Sequence, residues 1–175
     1  MVWRYHICHD LLGFVYVAFV HDSYSRKIVG YNVSDEMTTT LPLVAVSNAI
    51  NSRNNDGHNI EGLIHHSDKG SQYVSIQYRN YLDVNSVAAS TGTTGDSYDN
   101  AQAESLNGLY KSELIWNRCW RDLKEVEWET LLYVDWFNNR RIHGSIDNDT
   151  PVEHERKYYD KLKSTEEKRC IKNPE

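Results

Sequence analysis

Residues 13–34, GFVYVAFVHDSYSRKIVGYNVS, decide how the chain begins to fold. The segment 13–22 is rich in β-branched and aromatic residues and too short for a typical helix, which predicts a buried strand. The segment 25–34 follows it directly, and SYSR at 23–26 predicts a turn between the two. We therefore expect a β-hairpin whose strands pair in antiparallel fashion.

Helical patterns and short strands alternate after this hairpin. In TTLPLVAVSNAINSR (39–53), Leu43, Val46 and Ile50 recur at helical spacing behind a threonine cap. The remaining expected elements are a strand in EGLIHHSD (61–68), a helix from about Ser75 to Leu82, a strand in SVAAS (86–90), and helices over about 100–115 and 122–142. This order predicts an α/β fold in which helices cover a mixed sheet.

Composition and charge limit the classes of protein that fit. With 175 residues the chain is expected to form one domain. No apolar run reaches about 18 residues and the start does not resemble a secretory signal, so we expect a cytoplasmic protein without a membrane span. Cys8, Cys119 and Cys170 are odd in number and scattered, which is typical of reduced thiols. The net charge of −6 argues against a free-standing nucleic-acid binder, which usually carries a basic surplus.

Two carboxylates and a lysine form the strongest chemical pattern. Asp68 follows the strand GLIHH, where α/β folds tend to place ligand-binding groups. Asp99 is a plausible helix cap, and beyond it Glu104 and Lys111 fall on one helical face. An aspartate after a strand is more often a turn residue, and a polar helical stripe is more often a solvated face. However, GDSYDNAQAESLNGLYKSE (95–113) surrounds the glutamate with small and amide residues, which favours a site.

This pattern suits metal-assisted attack on a phosphodiester. Carboxylate oxygens are the ligands that Mg²⁺ prefers. Two such ions about 4 Å apart would stabilise the attacking and leaving oxygens. Lys111 lies about 10 Å along the helix from Glu104 and would bind a neighbouring phosphate.

Four segments resemble the retroviral-integrase-like (DDE) core of bacterial insertion-sequence transposases. They are 13–34, GLIHHSDKGSQYVS (62–75), 95–113, and YVDWFNNRRIHGSI with the later TP (133–151), and the resemblance extends over about residues 13–159. It implies a ribonuclease-H-like mixed sheet flanked by helices. It also implies an oligomeric enzyme that cuts element ends and joins them to target DNA with Mg²⁺ or Mn²⁺, using an Asp, Asp, Glu triad.

The resemblance assigns roles to individual residues. Asp68 corresponds to the second aspartate of the triad, Glu104 to the glutamate, and Lys111 to a lysine placed on the DNA end. Near the end of the last helix, four residues match a family signature and are expected to contact DNA or a partner: Asn138, Arg140, Arg141 and His143. For His143 a role at the helix terminus is an equally good reading.

The first triad aspartate is missing, because Arg4 stands at its position and a cation cannot bind the metal. We hypothesise that residues 2 to about 12 are the family's first strand translated out of frame. Back-translation of WRYHICHD, shifted by one nucleotide, allows Asp-Ile-Thr-Tyr-Val-Thr. A competing reading of HICHD (6–10) is a zinc site, although no second pair of ligands follows at suitable spacing. Asp10 or Asp22 could also replace the lost carboxylate, although a structural role suits Asp22 better.

These observations predict three regions and a functional state. Residues 1–12 form a degenerate first strand, 13–159 the catalytic core, and 160–175 a charged, disordered tail. We expect a truncated or inactivated transposase with weakened metal binding and little strand-transfer activity by itself. The alternatives are a non-catalytic remnant that binds DNA ends or pairs with intact transposase, and a different ribonuclease-H-like nuclease.

Overall fold

The computed structural model describes residues 2–6, 13–67, 75–91 and 97–172. The strands are β1 (Val2–His6), β2 (Phe14–His21), β3 (Ile28–Ser34), β4 (Ile64–Ser67) and β5 (Ala88–Thr91). The helices are α1 (Thr40–Asn55), α2 (Ile76–Val84), α3 (Ser97–Glu113), α4 (Leu123–Asn139) and α5 (Pro151–Lys172). Short 3₁₀ segments cover Ile115–Asn117 and Gly144–Ile146. The expected α/β class is confirmed.

The predicted hairpin is the centre of a three-stranded antiparallel sheet. Its strand order is β1-β2-β3, and Val17 pairs with Val33 across the hairpin. Residues 2–6 form a regular strand, in which Arg4 lies opposite Tyr16. The proposed position of Arg4 on a first strand therefore agrees with the backbone.

The second sheet is parallel and has two strands. β4 pairs with β5, and Ile64 lies opposite Ala88. Antiparallel and parallel pairs thus both occur, and within the described residues they lie in two sheets.

The main core lies between the antiparallel sheet and the helices α3 and α4. Its largest cluster contains Val17 and Phe19 of β2, Tyr110 of α3 and Phe137 of α4. The rings of Phe19 and Tyr110 meet edge to face, with centroids 5.0 Å apart. The sheet thus fixes the position of α3, on which the candidate glutamate lies.

The start of one helix differs from the position that the sequence suggested. α3 begins at Ser97, so Asp99 lies inside the helix and the prediction of Asp99 as its N-cap is wrong. α2 and α4 do begin behind side-chain caps: Ser75 accepts from the Tyr78 amide and Asp122 from the Glu125 amide.

A fifth helix was not predicted. α5 runs to Lys172, whereas the sequence suggested a disordered tail over 160–175. Residues 160–172 contain no glycine or proline, and their four lysines and two glutamates favour a helix. Among the helices of the described ranges, none combines the length and the apolar character needed to span a bilayer.

Candidate active site

α3 presents one face to the core and another to solvent. Leu106, Tyr110 and Leu114 are buried and face the core. Glu104 is exposed and, within the described part of the chain, forms no hydrogen bond or ion pair. Its carboxylate is therefore available to a ligand.

A cavity of about 590 Å³ lies where the end of β4 approaches α3. Ser67, the last residue of β4, and Ala103 of α3 both line it. These two residues immediately precede Asp68 and Glu104 in the sequence. Asp68 itself lies outside the described residues.

His65 forms part of the wall of the same cavity. Its Nε2 atom lies 2.7 Å from the Tyr78 hydroxyl, within hydrogen-bond distance. Burial lowers the pKa of His65 to about 4, so the ring is neutral at pH 7. His65 is thus packed against Tyr78 of α2.

The polar stripe of α3 is less uniform than the sequence suggested. Asn107 is buried, and its side-chain amide donates to the carbonyl oxygen of Ala103. Lys111 is half-buried, with its ammonium group 5.0 Å from the ring centre of the exposed Trp116. Glu104 and Lys111 thus keep the accessibility that their predicted roles require.

The structure places Asn138 in the interior. Its Oδ1 accepts from the Ile28 amide at 2.8 Å and its Nδ2 donates to the Ile28 carbonyl at 2.9 Å. Both amide atoms are therefore used to join α4 to β3. Asn138 therefore has a structural role instead of the expected contact with DNA.

Arg141 is likewise used within the protein, whereas Arg140 is exposed. The Arg141 guanidinium donates to Glu113 from Nε at 3.0 Å and from Nη2 at 2.8 Å. Tyr133 also donates its hydroxyl to Glu113, at 2.9 Å. The side chain of Arg140 is 73% exposed and its nearest carboxylate, on Asp135, is 3.9 Å away. Of the two arginines, Arg140 is the one available to DNA.

His143 lies beyond the end of α4, where a terminal role was one of its two readings. Its backbone amide donates to Asp149, and its ring packs on Phe137 with centroids 4.6 Å apart. Only 8% of the residue is exposed. The structural reading therefore describes it better than a direct DNA contact.

Asp22 is unsuited to replace the missing acid. Its Oδ1 accepts from the amides of Tyr24 and Ser25, and its Oδ2 accepts from Arg53 at 3.1 Å. Oδ1 thus stabilises the turn between β2 and β3, and Oδ2 joins this turn to α1. The proposed zinc ligands Cys8 and His9, together with Asp10, lie outside the described residues.

The fit of a divalent metal depends on residues from three segments. Within the described ranges, no group of three His, Cys, Asp or Glu could hold a metal ion. Glu104 offers one carboxylate, Asp68 is predicted to offer another, and the β1 position holds Arg4. A complete three-acid site therefore does not fit these residues.

Nothing in the sequence indicated the buried, unpaired Nε atom of Arg26. Arg26 adopts a left-handed backbone conformation with φ of 65°. SYSR marked the turn but could not show that this arginine turns inward.

The sequence model of the family described as "Integrase core domain" matches residues 2–97, and a second model of the same description matches residues 85–151. The chain is 50% identical over 147 residues to the transposase for insertion sequence element IS629 from Shigella sonnei. That match covers 84% of this chain and 48% of the relative. The chain therefore spans about half the length of this relative.

Solved structures share the fold at low sequence identity. One match is a chain in the intasome of simian T-cell lymphotropic virus, solved in complex with PP2A regulatory subunit B56 gamma. Its TM-score is 0.65 at 10% sequence identity, and the match covers 88% of this chain and 52% of that chain. The HTLV-2 integrase catalytic core domain, solved in complex with magnesium, matches with a TM-score of 0.57 and 12% identity over 87% and 90%. The expected ribonuclease-H-like class is thereby confirmed, and the chain belongs to the integrase core domain family.

Proposed function

We propose that this chain is the catalytic core of an insertion-sequence transposase, and that Asp68 and Glu104 are its two remaining metal-binding carboxylates. The observation that carries the proposal is the shared cavity, because Ser67 and Ala103 line it and each precedes one of the two acids. Neighbouring residues at a strand end and on an accessible helix face can bring two carboxylates to one divalent ion.

The protein residues would bind and orient DNA around this site. Bound Mg²⁺ or Mn²⁺ would supply electrostatic stabilisation of the charge that develops on the phosphodiester. Glu104 would hold the ion from α3. Lys111, further along the helix, and the exposed Arg140 would contact backbone phosphates. Such an enzyme would act on DNA in the bacterial cytoplasm.

The site is proposed to be defective at its first position. Arg4 lies in β1, where the family resemblance requires an aspartate. A guanidinium cannot bind a cation and would repel it, so metal affinity and strand transfer should both be low. Translation of residues 2–12 out of frame remains our explanation, and the nucleotide sequence tests it.

A non-catalytic role as a partner of intact transposase, or of a second copy, is the second candidate function. An apolar surface on α4 favours it, because Trp128 is 61%, Leu131 47% and Leu132 44% exposed. Exposed apolar patches of this kind mark protein interaction sites. Assembly through this surface does not require an active metal site.

The variant Arg4→Asp separates the damaged enzyme from the remnant. We expect the variant to cleave and join DNA that carries the element's ends, taken from the sequence flanking the gene, in the presence of Mg²⁺. The double variant Arg4→Asp/Glu104→Gln is the matched control and should be inactive. A folded but inactive Arg4→Asp protein would support the remnant, and cleavage without preference for element ends would support a general nuclease.

A further inference from the structure

A second cavity, of about 280 Å³, lies between the β2–β3 turn, α3 and the 3₁₀ segment after α4. Its polar lining consists of His21, Arg26, Gln102, Ser105, His143 and Ser145. Glu104 does not line this cavity. The cavity adjoins the first one, with which it shares His21 and Gln102, whereas Ser67 and Ala103 line only the first.

Four buried atoms of this lining have no hydrogen-bond partner among the described residues. They are Nε2 of His21, Nε of Arg26, Oε1 of Gln102 and Nε2 of His143. All four residues line the same cavity. Of these four side chains, His21 and Gln102 interact with each other. The two remaining atoms, Nε of Arg26 and Nε2 of His143, would be costly to leave unpaired, which indicates that an acceptor occupies the space between them.

Arg26 supplies a positive charge that nothing in the described residues neutralises. It is half-buried and takes part in no ion pair there, whereas the neighbouring Asp22 is bound to Arg53. The turn imposes its left-handed backbone, since the Arg26 amide donates to the Asp22 carbonyl at 2.9 Å. A half-buried guanidinium without a counter-charge is a suitable donor to an anion.

His143 presents a second donor. The Arg141 Nη1 atom lies 3.2 Å from Nδ1 of His143, and a guanidinium can only donate, so Nδ1 accepts. Burial and then the Arg141 cation lower the pKa of His143, against the opposing effect of the Phe137 carbonyl. With Nδ1 as the acceptor, the neutral ring carries its proton on Nε2, from which it can donate toward the Phe137 carbonyl or to a ligand in the cavity.

We propose that this cavity binds a phosphate-type oxyanion. Arg26 and His143 donate to it from the turn and from the segment after α4, while the hydroxyls of Ser105 and Ser145 approach from α3 and the 3₁₀ segment. Donors from several directions suit a tetrahedral anion better than a planar carboxylate. The phosphate can be free in solution or belong to a DNA backbone, and this proposal does not depend on the metal site.

Titration calorimetry with inorganic phosphate at pH 7 and constant ionic strength tests the proposal. We expect one site per chain, and Arg26→Gln should weaken it at least about tenfold, because a charge-assisted hydrogen bond and the positive charge are both lost. Arg156→Gln, which removes an exposed charge on α5, is the matched control and should bind like the parent chain. Absence of binding at millimolar phosphate, or equal binding by Arg26→Gln, would mean that water alone fills the cavity.

Ser105→Leu is a second test variant, which keeps the proposal testable if Arg26→Gln fails to fold. It fills the cavity from α3 without a change of charge and should abolish phosphate binding while the circular dichroism spectrum stays unchanged. Unchanged phosphate binding by a folded Ser105→Leu protein would overturn the assignment of the site to this cavity.

A binding experiment with a DNA duplex identifies the source of the phosphate. If the occupant is a backbone phosphate, inorganic phosphate competes with a DNA duplex and Arg26→Gln weakens duplex binding, whereas Arg156→Gln does not. If the occupant is free phosphate, duplex binding is the same in all three proteins. Both results support an oxyanion site, provided that calorimetry detects phosphate.

Discussion

The amide of Asn138 bonds to both backbone groups of Ile28, in the way that a neighbouring strand would. The sequence placed this residue on the last long helix of the core but could not show which face of the helix it occupies. In a family signature, a residue required for folding and a residue required for DNA binding look alike. Burial and hydrogen-bond partners distinguish them.

Asn138→Ala should lower the free energy of unfolding by roughly 2–4 kcal/mol, because it removes two buried hydrogen bonds and leaves the backbone of Ile28 unpaired. Urea denaturation measures the change. Asn139→Ala is the control, since that exposed amide bonds only to Asp135 in its own helix, and the change should stay within about 0.5 kcal/mol. Equal stability of the two variants would contradict the structural role.

Helix α1 lies directly on β3 because Gly30 has no side chain. A Cβ atom at this position would be 2.2 Å from the Ala45 carbonyl oxygen and 2.6 Å from the Ala49 amide nitrogen. Both contacts are with the backbone of the helix, so neither atom can move without moving α1. The hairpin pattern predicted strand β3. The close approach of α1 to Gly30 could not be predicted, because it depends on the relative positions of the helix and the strand.

Gly30→Ala should destabilise the protein by about 3 kcal/mol, at the upper end of typical overpacking costs. Gly108→Ala is the opposite control, because nothing lies within 4 Å of its Cβ position in α3. An alanine there should stabilise the helix by roughly 0.5–1 kcal/mol. Thermal unfolding followed by circular dichroism should shift the two midpoints in opposite directions, and a shared direction would contradict this packing.

Helix α5 shows where sequence patterns fail at the level of an element. It docks through charges rather than an apolar stripe: Glu155 is buried and pairs with Arg53 of α1, and with Lys27 at 2.7 Å. A segment rich in charges resembles a solvated tail when its partners, more than 100 residues away, are unknown. By contrast, the capping residues of α2 and α4 directly precede these helices in the sequence, so the starts of both helices were predictable.

At the scale of the molecule, the sequence predicted the hairpin, the placement of Glu104 on an accessible helix face, and the family. The sequence could not predict the cavity proposed to bind phosphate. The lining of this cavity comes from residues 21–26, 102–105 and 143–145, which meet only in the folded chain. The salt bridge between Arg141 and Glu113 could not be predicted for the same reason. Local periodicity determines elements, whereas sites assembled from distant loops depend on packing.

The whole molecule also explains how a family of DNA-acting proteins can include an acidic chain. Its net charge is −6, and several of its cations are used internally, including Arg53, Lys27 and Arg141. On the proposed function, DNA affinity would come from a few accessible cations and from bound metal. A broken metal site would then weaken DNA binding as well as chemistry.

Calorimetric titration of Mg²⁺ into the chain and into Arg4→Asp tests the central claim most directly. We predict weak binding by the natural chain, and clearly tighter binding by Arg4→Asp that is lost again when Asp68→Asn is added. Tight binding of two ions by the natural chain, abolished by Asp68→Asn alone, would contradict the account. So would an Arg4→Asp protein that binds Mg²⁺ no better than its parent.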